Sequence, residues 1–262
     1  MLLSRHATSK KKGLGQHFLK DKQIIRTLVS AANISSKDTI IEIGAGTGSV
    51  TKEIAKKAGR VFAIEFDRDL IPILENNLQS FNNVTIINKD ILKIDFSALG
   101  FGPPAGGLDL KIPTIVGSIP FQITSPLLHK LIFENNWALA VLLVQKEVAK
   151  KITAKPPQAS YLSNFVQGFT SVQYLTTVSK TAFHPAPKVD GALIKLDWNP
   201  HIANIESKKW SSFLHQGFKH PRKMIRSAFP EKQLQKAGID PRSRPQELEI
   251  NQWAKLYKEQ SC

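Results

Sequence analysis

The chain has 262 residues, 42% of them hydrophobic, and a formal net charge of +15 from 36 basic and 21 acidic side chains. That length supports one full-sized domain plus a smaller one, and that composition excludes a disordered chain. The excess of positive charge points to a polyanionic partner, nucleic acid or an acidic membrane surface.

No apolar run approaches the ~20 residues that span a bilayer, and the longest, 138–144, reads as a buried strand. No membrane association is expected. The single cysteine is Cys262. It cannot form an intrachain disulfide, and a cysteine-based metal site is not expected. A reducing compartment fits, with cytoplasm as the default. Residues 1–12 are basic but lack the apolar core of a secretion signal.

Basic residues crowd the first segment: Arg5, Lys10, Lys11, Lys12, Lys20, Lys22 and Arg26, opposed only by Asp21. Residues 21–32 predict an amphipathic helix with Ile24, Ile25, Leu28 and Val29 on one side. Strands are predicted over 39–43, 60–64 and 84–88, and helices over 50–57 and 70–78. Pro72 is tolerated in the first turn of the second helix. Gly100, Gly102, Pro103, Pro104, Gly106 and Gly107 predict a flexible loop. A fourth strand (114–116), a helix (125–133), a fifth strand (137–144) and a helix (146–152) follow. Lys155-Pro156-Pro157 ends that helix, and later strands are expected over 172–178 and 192–198.

This alternation predicts an α/β fold, a parallel sheet covered on both faces. From Asn199 onward the chain reads as short helices with basic linkers, such as 240–245. A domain boundary is therefore expected there, giving 1–198 and 199–262. A second basic cluster, Lys219, Arg222, Lys223 and Arg226, lies in the latter part. A charge run alone reads as a solvated face. Two runs flanking a site-like middle favour a polyanion.

Glu42-Ile43-Gly44-Ala45-Gly46-Thr47-Gly48 follows a strand and opens a helix. Glycines there let the backbone turn sharply and approach a ligand closely. A dinucleotide site requires a third glycine where Ser49 stands. The tighter Gly-x-Gly-x-Gly spacing suits a ligand without a pyrophosphate. Glu65 ends the second strand, where a carboxylate can accept both ribose hydroxyls, and Asp67 is the competing acid. Asp90 follows the third strand and can accept an adenine amine. After the fourth strand, Gly117-Ser118-Ile119-Pro120-Phe121 forms a rigid loop. Pro120 fixes its own φ and biases Ile119 toward extended geometry, so carbonyls point outward, and Phe121 can stack on a base.

Adenine N6 is a poor nucleophile because its lone pair is delocalised into the ring. Acceptors that hold its N–H groups pyramidalise the nitrogen and aim the lone pair. The alkylated cation then sheds its proton without a strong base. Catalysis at such a site is positioning and desolvation.

Assembled, these motifs resemble those of the ribosomal RNA adenine dimethyltransferases, from about Gly13 to Ala228. Gly15-Gln16-His17-Phe18-Leu19 resembles that family's opening Gly-Gln-Asn-Phe-Leu, and residues 42–48 its glycine loop. Ser118-Ile119-Pro120-Phe121 resembles its Asn-Leu-Pro-Tyr or Asn-Ile-Pro-Phe loop. Phe183-His184-Pro185-Ala186-Pro187-Lys188-Val189-Asp190 resembles its Phe-x-Pro-x-Pro-Lys-Val-Asp signature, which favours the small-subunit branch. The basic run 218–227 also looks like a family feature. The chain departs from the motifs at His17 and Ser118, where the family carries asparagine.

The resemblance implies a Rossmann-like methyltransferase sheet with a small C-terminal helical domain. It implies a monomer acting on small-subunit ribosomal RNA in the immature small subunit, dimethylating two adjacent adenines near its 3′ end. S-adenosylmethionine would be the donor, with no metal. His17, Leu19, Gly44, Gly46, Glu65, Asp90 and Ser118 would hold the donor. Ser118, Pro120, Phe121 and Phe183 would place the flipped base, and Lys219, Arg222, Lys223 and Arg226 would hold RNA. Three other readings stay open. One is a large-subunit adenine methyltransferase of the antibiotic-resistance type. Another is an assembly factor with little or no catalysis, and the third an NAD-dependent oxidoreductase.

Overall fold

The computed structural model describes residues 17–100, 112–200, 202 and 205–260. Arg5, Lys10, Lys11, Lys12, Cys262 and the glycine–proline loop after Gly100 lie outside the described residues. The first half runs β1 (Phe18–Leu19), α1 (Lys22–Ala31), β2 (Thr39–Ile43), α2 (Ser49–Ala55), β3 (Arg60–Glu65), α3 (Ile71–Leu78) and β4 (Val84–Asn88). It continues with β5 (Thr114–Ser118), α4 (Thr124–Glu134), β6 (Leu139–Gln145), α5 (Lys146–Thr153), α6 (Tyr161–Phe169), β7 (Thr170–Val178), β8 (Phe183–His184) and β9 (Gly191–Trp198). Helices α7 (Ser207–Phe218), α8 (Glu231–Lys236) and α9 (Ile250–Gln260) complete the chain.

Seven strands form one sheet in the order β4-β3-β2-β5-β6-β9-β7. From β4 to β6 every pairing is parallel. The parallel sheet expected from the sequence gains an antiparallel far edge, where β9 runs antiparallel to both β6 and β7. A parallel return needs a crossover, usually a helix. The segment between β7 and β9 holds only a short 3-10 turn, the two-residue β8 and two prolines.

Alternation along the strands explains their unbroken apolar character. Ile40, Val61, Val116, Val141, Leu143 and Leu193 face one way and pack with Leu28, Val50 and Ile54 of α1 and α2. Ile41, Ile43, Phe62, Ile64, Ile115, Leu142 and Ile194 face the other way, against Leu127, Leu131 and Phe165. Successive side chains of a strand point to opposite faces, so a sheet covered on both sides needs apolar residues at every position.

Helix α6 was not expected from the sequence. Ser160 caps it, accepting from the Ser163 N–H at 3.2 Å, while Ser163 Oγ accepts from the Ser160 N–H at 2.7 Å. This reciprocal pair, with Phe165, Val166 and Phe169 on the buried side, is a readable start signal. The proline pair before it draws attention away.

The C-terminal helices extend the second face. Trp210, Phe213, Leu214, Trp253 and Leu256 belong to the same buried cluster as Ile41 and Leu142, on the other side of Asn199. Gly168 of α6 lets Trp210 close: a Cβ there would lie 2.8 Å from the indole nitrogen. No helix among the described residues is long and apolar enough to cross a membrane.

Gly217 sets the tightest contact in this region. A Cβ at that position would lie 2.4 Å from the ring of Trp253, which is fully buried. Gly217→Ala is expected to destabilise the fold by about 1–3 kcal/mol through overpacking. Urea unfolding followed by tryptophan fluorescence checks this, and an unchanged midpoint would mean that Trp253 has room to move.

Candidate active site

The carboxyl ends of β2, β3, β4 and β5 share one edge because these strands are parallel. Chain order changes direction between β2 and β5, which makes a crevice at that edge. A cleft of about 250 Å3 opens there. It is lined by His17, Leu19, Gly44, Gly46, Glu65, Asp90, Ser118, Pro120, Phe121 and Phe183. Every donor-site and base-site residue named from the sequence therefore meets in one place. Strand order also ranks them in space: Asp90, then Glu65, then the glycine loop, then Ser118 and Phe121.

The glycine loop is built around positive φ. Gly44, Gly46 and Gly48 have φ of 76°, 57° and 84°, a region that costs a side-chain-bearing residue dearly. Gly44 also lies against the acceptor loop, where a Cβ would come within 3.0 Å of the Ser118 carbonyl oxygen. The two loops thus touch backbone to backbone. Gly44 and Ala45 N–H groups donate to the Ile64 carbonyl at 2.9 and 3.1 Å.

Glu65 joins the loop to the next strand end. Its Oε2 accepts from the Gly46 N–H and its Oε1 from the Asp67 N–H, each at 2.8 Å. Burial raises the Glu65 carboxyl above its ordinary value, and the N–H groups of Asp67, Gly46 and Phe66 oppose that shift. Asp67 also lines the cleft, but its Oδ1 accepts from the Asp69 N–H and caps the following turn. Asp90 Oδ1 likewise accepts from the Leu92 N–H at 3.0 Å. The side chain of Asn88 donates to the carbonyls of Glu65 and Phe66, fixing the end of β3.

At the other end, the Ile119 N–H donates to the Leu143 carbonyl at 3.0 Å and the Ile123 N–H to the Pro120 carbonyl at 3.0 Å. The acceptor loop is therefore tied at both ends. The chain's opening motif arrives through a short ladder in which Phe18 pairs with His184 and Leu19 with Phe183. His17 Nδ1 lies 2.8 Å from the Pro185 carbonyl. Phe183 is 3% exposed, so its ring is held mostly by the protein.

Phe66 was missed in the sequence. It lines the cleft and is 58% exposed. A large aromatic between two acids at a strand end was the available signal, since such a side chain in water asks for a partner.

The C-terminal cluster divides. Arg222, Lys223 and Arg226 line a second cleft of about 840 Å3, whereas Lys219 lies at another, beside Tyr161, His215 and Phe218. Arg242 and Arg244, read from the sequence as linker, join the first group. The Ile225 N–H donates to the Ser243 carbonyl at 2.7 Å, pinning the two segments together. Glu231 and Glu247 are the acids there, and Arg226 lies 3.8 Å from Glu231. No group of three or more His, Cys, Asp or Glu among the described residues could hold a metal.

Beneath the glycine loop, Glu42 is fully buried and its Oε2 has no hydrogen-bond partner among the described residues. Burial pushes its carboxyl from 4.5 to about 8. Contacts with Thr51 offset this in part, and the charge of Glu65 adds to it. The folded state thus keeps a proton that the unfolded state loses. The associated stability is full below pH 4.5 and is lost as pH rises through about 8. Glu42→Gln, a neutral isostere, is expected to flatten that decline. Urea midpoints measured across this range check it, and equal slopes for both proteins would mean that Glu42 does not hold the proton.

The family model for ribosomal RNA adenine dimethylases matches residues 7–261. A ribosomal RNA small subunit methyltransferase A of Clostridium botulinum is 36% identical over 259 residues, covering 94% of this chain and 92% of the relative. The protein of that name from a Sulfurihydrogenibium species is 36% identical over 251 residues, covering 94% and 95%. A dimethyladenosine transferase structure from Plasmodium falciparum superposes with a TM-score of 0.78 at 25% identity, covering 92% of this chain and 96% of that one. The 23S rRNA methyltransferase ErmE gives 0.74 at 24% identity, covering 94% and 100%, a likeness of fold alone. A match across nearly the whole chain, joined to a single cleft that gathers the expected donor-site and base-site residues, places this protein in the ribosomal RNA adenine dimethylase family.

Proposed function

We propose that the chain dimethylates N6 of two adjacent adenines near the 3′ end of small-subunit ribosomal RNA, using S-adenosylmethionine. Its partner is the immature small subunit. One observation carries the reading: a single cleft joins the glycine loop, Glu65 and Asp90 to the Ser118–Phe121 loop. The relatives' names support the small subunit as the target.

The cleft fits such a donor. Gly44 and Gly46 line the cleft with backbone and no side chain, and Glu65 retains lone pairs after accepting its backbone N–H groups. Leu19, Gly44, Gly46, Glu65 and Asp90 hold the donor, with ribose at Glu65 and adenine between Asp90 and Phe66. When bound, the donor supplies an electrophilic methyl group. The protein supplies alignment: Ser118 and the Pro120 turn face the target amine, and Phe121 and Phe183 seat the base. Residues 1–198 thus carry the chemistry. Residues 199–262 grip RNA through Arg222, Lys223 and Arg226, with Lys219 to one side.

The reading predicts dimethylated adenine in the RNA fragment after unmethylated small subunits are incubated with donor, read by mass spectrometry. Binding without transfer would instead favour an assembly factor, a reading that the serine at position 118 favours.

Glu65→Gln is expected to weaken donor binding about ten- to a hundredfold, as loss of a charge-assisted hydrogen bond does. Calorimetry measures it, and unchanged affinity would remove Glu65 from the donor site.

RNA affinity is expected to fall steeply with salt, each neutralised phosphate adding about −0.7 to −0.9 to the log–log slope. Replacing Arg222, Lys223 and Arg226 together with glutamine should flatten the slope and spare donor affinity. A wild-type slope in that variant would identify the cluster as a solvated face.

A further inference from the structure

His17 and Ser118 are the two positions that depart from the family motifs, and both line the cleft. Their chemistry is complementary. The serine hydroxyl is a short acceptor that reaches less far than a side-chain amide. The histidine carries two ring nitrogens on different edges.

The state of the ring follows from its contacts. Nδ1 lies 2.8 Å from the Pro185 carbonyl oxygen, which has no proton to give, so Nδ1 donates. In the neutral ring Nε2 then bears a lone pair and accepts. Pro185 does not line the cleft whereas His17 does, so with Nδ1 tethered to Pro185 the Nε2 edge is the one left to meet a ligand there. Nε2 has no hydrogen-bond partner among the described residues. The ring centroid lies 6.4 Å from that of Phe121, with the planes inclined by 35°. His17 therefore stands beside the aromatic surface assigned to the target base. The β1–β8 ladder begins at the next residue, so backbone and side chain are both anchored.

We propose that His17 is a catalytic residue that touches the target amine, beyond its expected place over the donor. This rests on the adenine-methylation reading. Nε2 accepts one N–H of the exocyclic amine, the Ser118 side or the Pro120 turn accepts the other, and the nitrogen lone pair is turned out of conjugation. N6 forms the new N–C bond as the donor's C–S bond breaks and its electron pair returns to sulfur. The N–H held by Nε2 then breaks, its electrons staying on nitrogen. The proton passes to Nε2 and from there to water.

Asparagine and glutamine variants separate the two ring nitrogens. An asparagine amide reaches the position of Nδ1, so His17→Asn keeps a donor toward Pro185 and removes the inward acceptor. A glutamine amide reaches the position of Nε2 and gives up the tether. The test compares wild type, His17→Asn, His17→Gln, Ser118→Asn and the His17→Asn/Ser118→Asn double variant. First methylation of unmodified small subunits is followed in single turnover at saturating donor, and donor affinity by calorimetry.

His17→Asn is expected to slow the first methylation about tenfold or more, the cost of one unmade aligned hydrogen bond. The rate should fall by a larger factor than donor affinity. Ser118→Asn should raise the rate, and in that background His17→Asn should cost little, since the longer amide supplies the missing acceptor. His17→Gln should retain more activity than His17→Asn.

Equal rates for wild type and His17→Asn would overturn the proposal. So would the same loss in both backgrounds, a loss confined to donor affinity, or equal slowing by asparagine and glutamine. Transfer without coupling between the two positions defeats this inference alone. No transfer by any of the proteins, with RNA and donor bound, defeats the methylation reading and this inference with it.

Discussion

The buried carboxylate of Glu65 is the constraint on which the site depends. Each of its oxygens accepts a backbone N–H, from the glycine loop on one side and from its own strand's continuation on the other. A buried acceptor left unmade is costly, so these bonds hold the two loops at a set separation. Gly46 meets the carboxylate while adopting positive φ. Gly44, two residues earlier, can then lie against the carbonyl of Ser118. A chain of contacts thus runs from the buried Glu65 side chain at the end of β3 through the backbone of the glycine loop to the acceptor loop.

The sheet supplies the rigidity behind that chain. Each central strand buries one row of side chains against α1 and α2 and the other against α4, α6 and the C-terminal helices. A one-residue slip of a strand would exchange its two faces, moving every side chain out of one packed layer and into the other. The basic cleft of the C-terminal segment rests on the same buried cluster as the central strands. Its distance from the active-site edge is therefore set by packing and not by a linker.

Much of this was legible in the sequence because its physical signals are local. Doubly buried strands read as apolar runs at 39–43 and 60–64, glycines mark the sharp turn after β2, and acids at strand ends fall on one edge once the strands are parallel. The rest depends on contacts between distant segments. Nothing near Phe18 announces that it pairs with His184, and the reversed direction of β9 follows from what the 179–190 segment lacks. Helix α6 had its capping serines in plain view, but Pro156 and Pro157 dominate a local reading. Arg242 and Arg244 look like linker until Ser243 is seen bonded to Ile225. Glu42 stands in the sequence only as the first residue of the glycine-loop motif, and its burial is what raises its carboxyl to about 8.

The ladder between β1 and β8 has a consequence for the chain during its own synthesis. His17 and Pro185 are 168 residues apart in sequence, yet the contact between them anchors a residue of the cleft wall. A chain leaving the ribosome can form the glycine loop and most of the parallel strands early, since these contacts join neighbouring units. It cannot complete the cleft until residue 185 has emerged and found the waiting N-terminal segment. Non-local closures of this kind are the slow steps of folding. Competence to methylate ribosomal RNA is therefore acquired late in translation, after more than two thirds of this chain has been made.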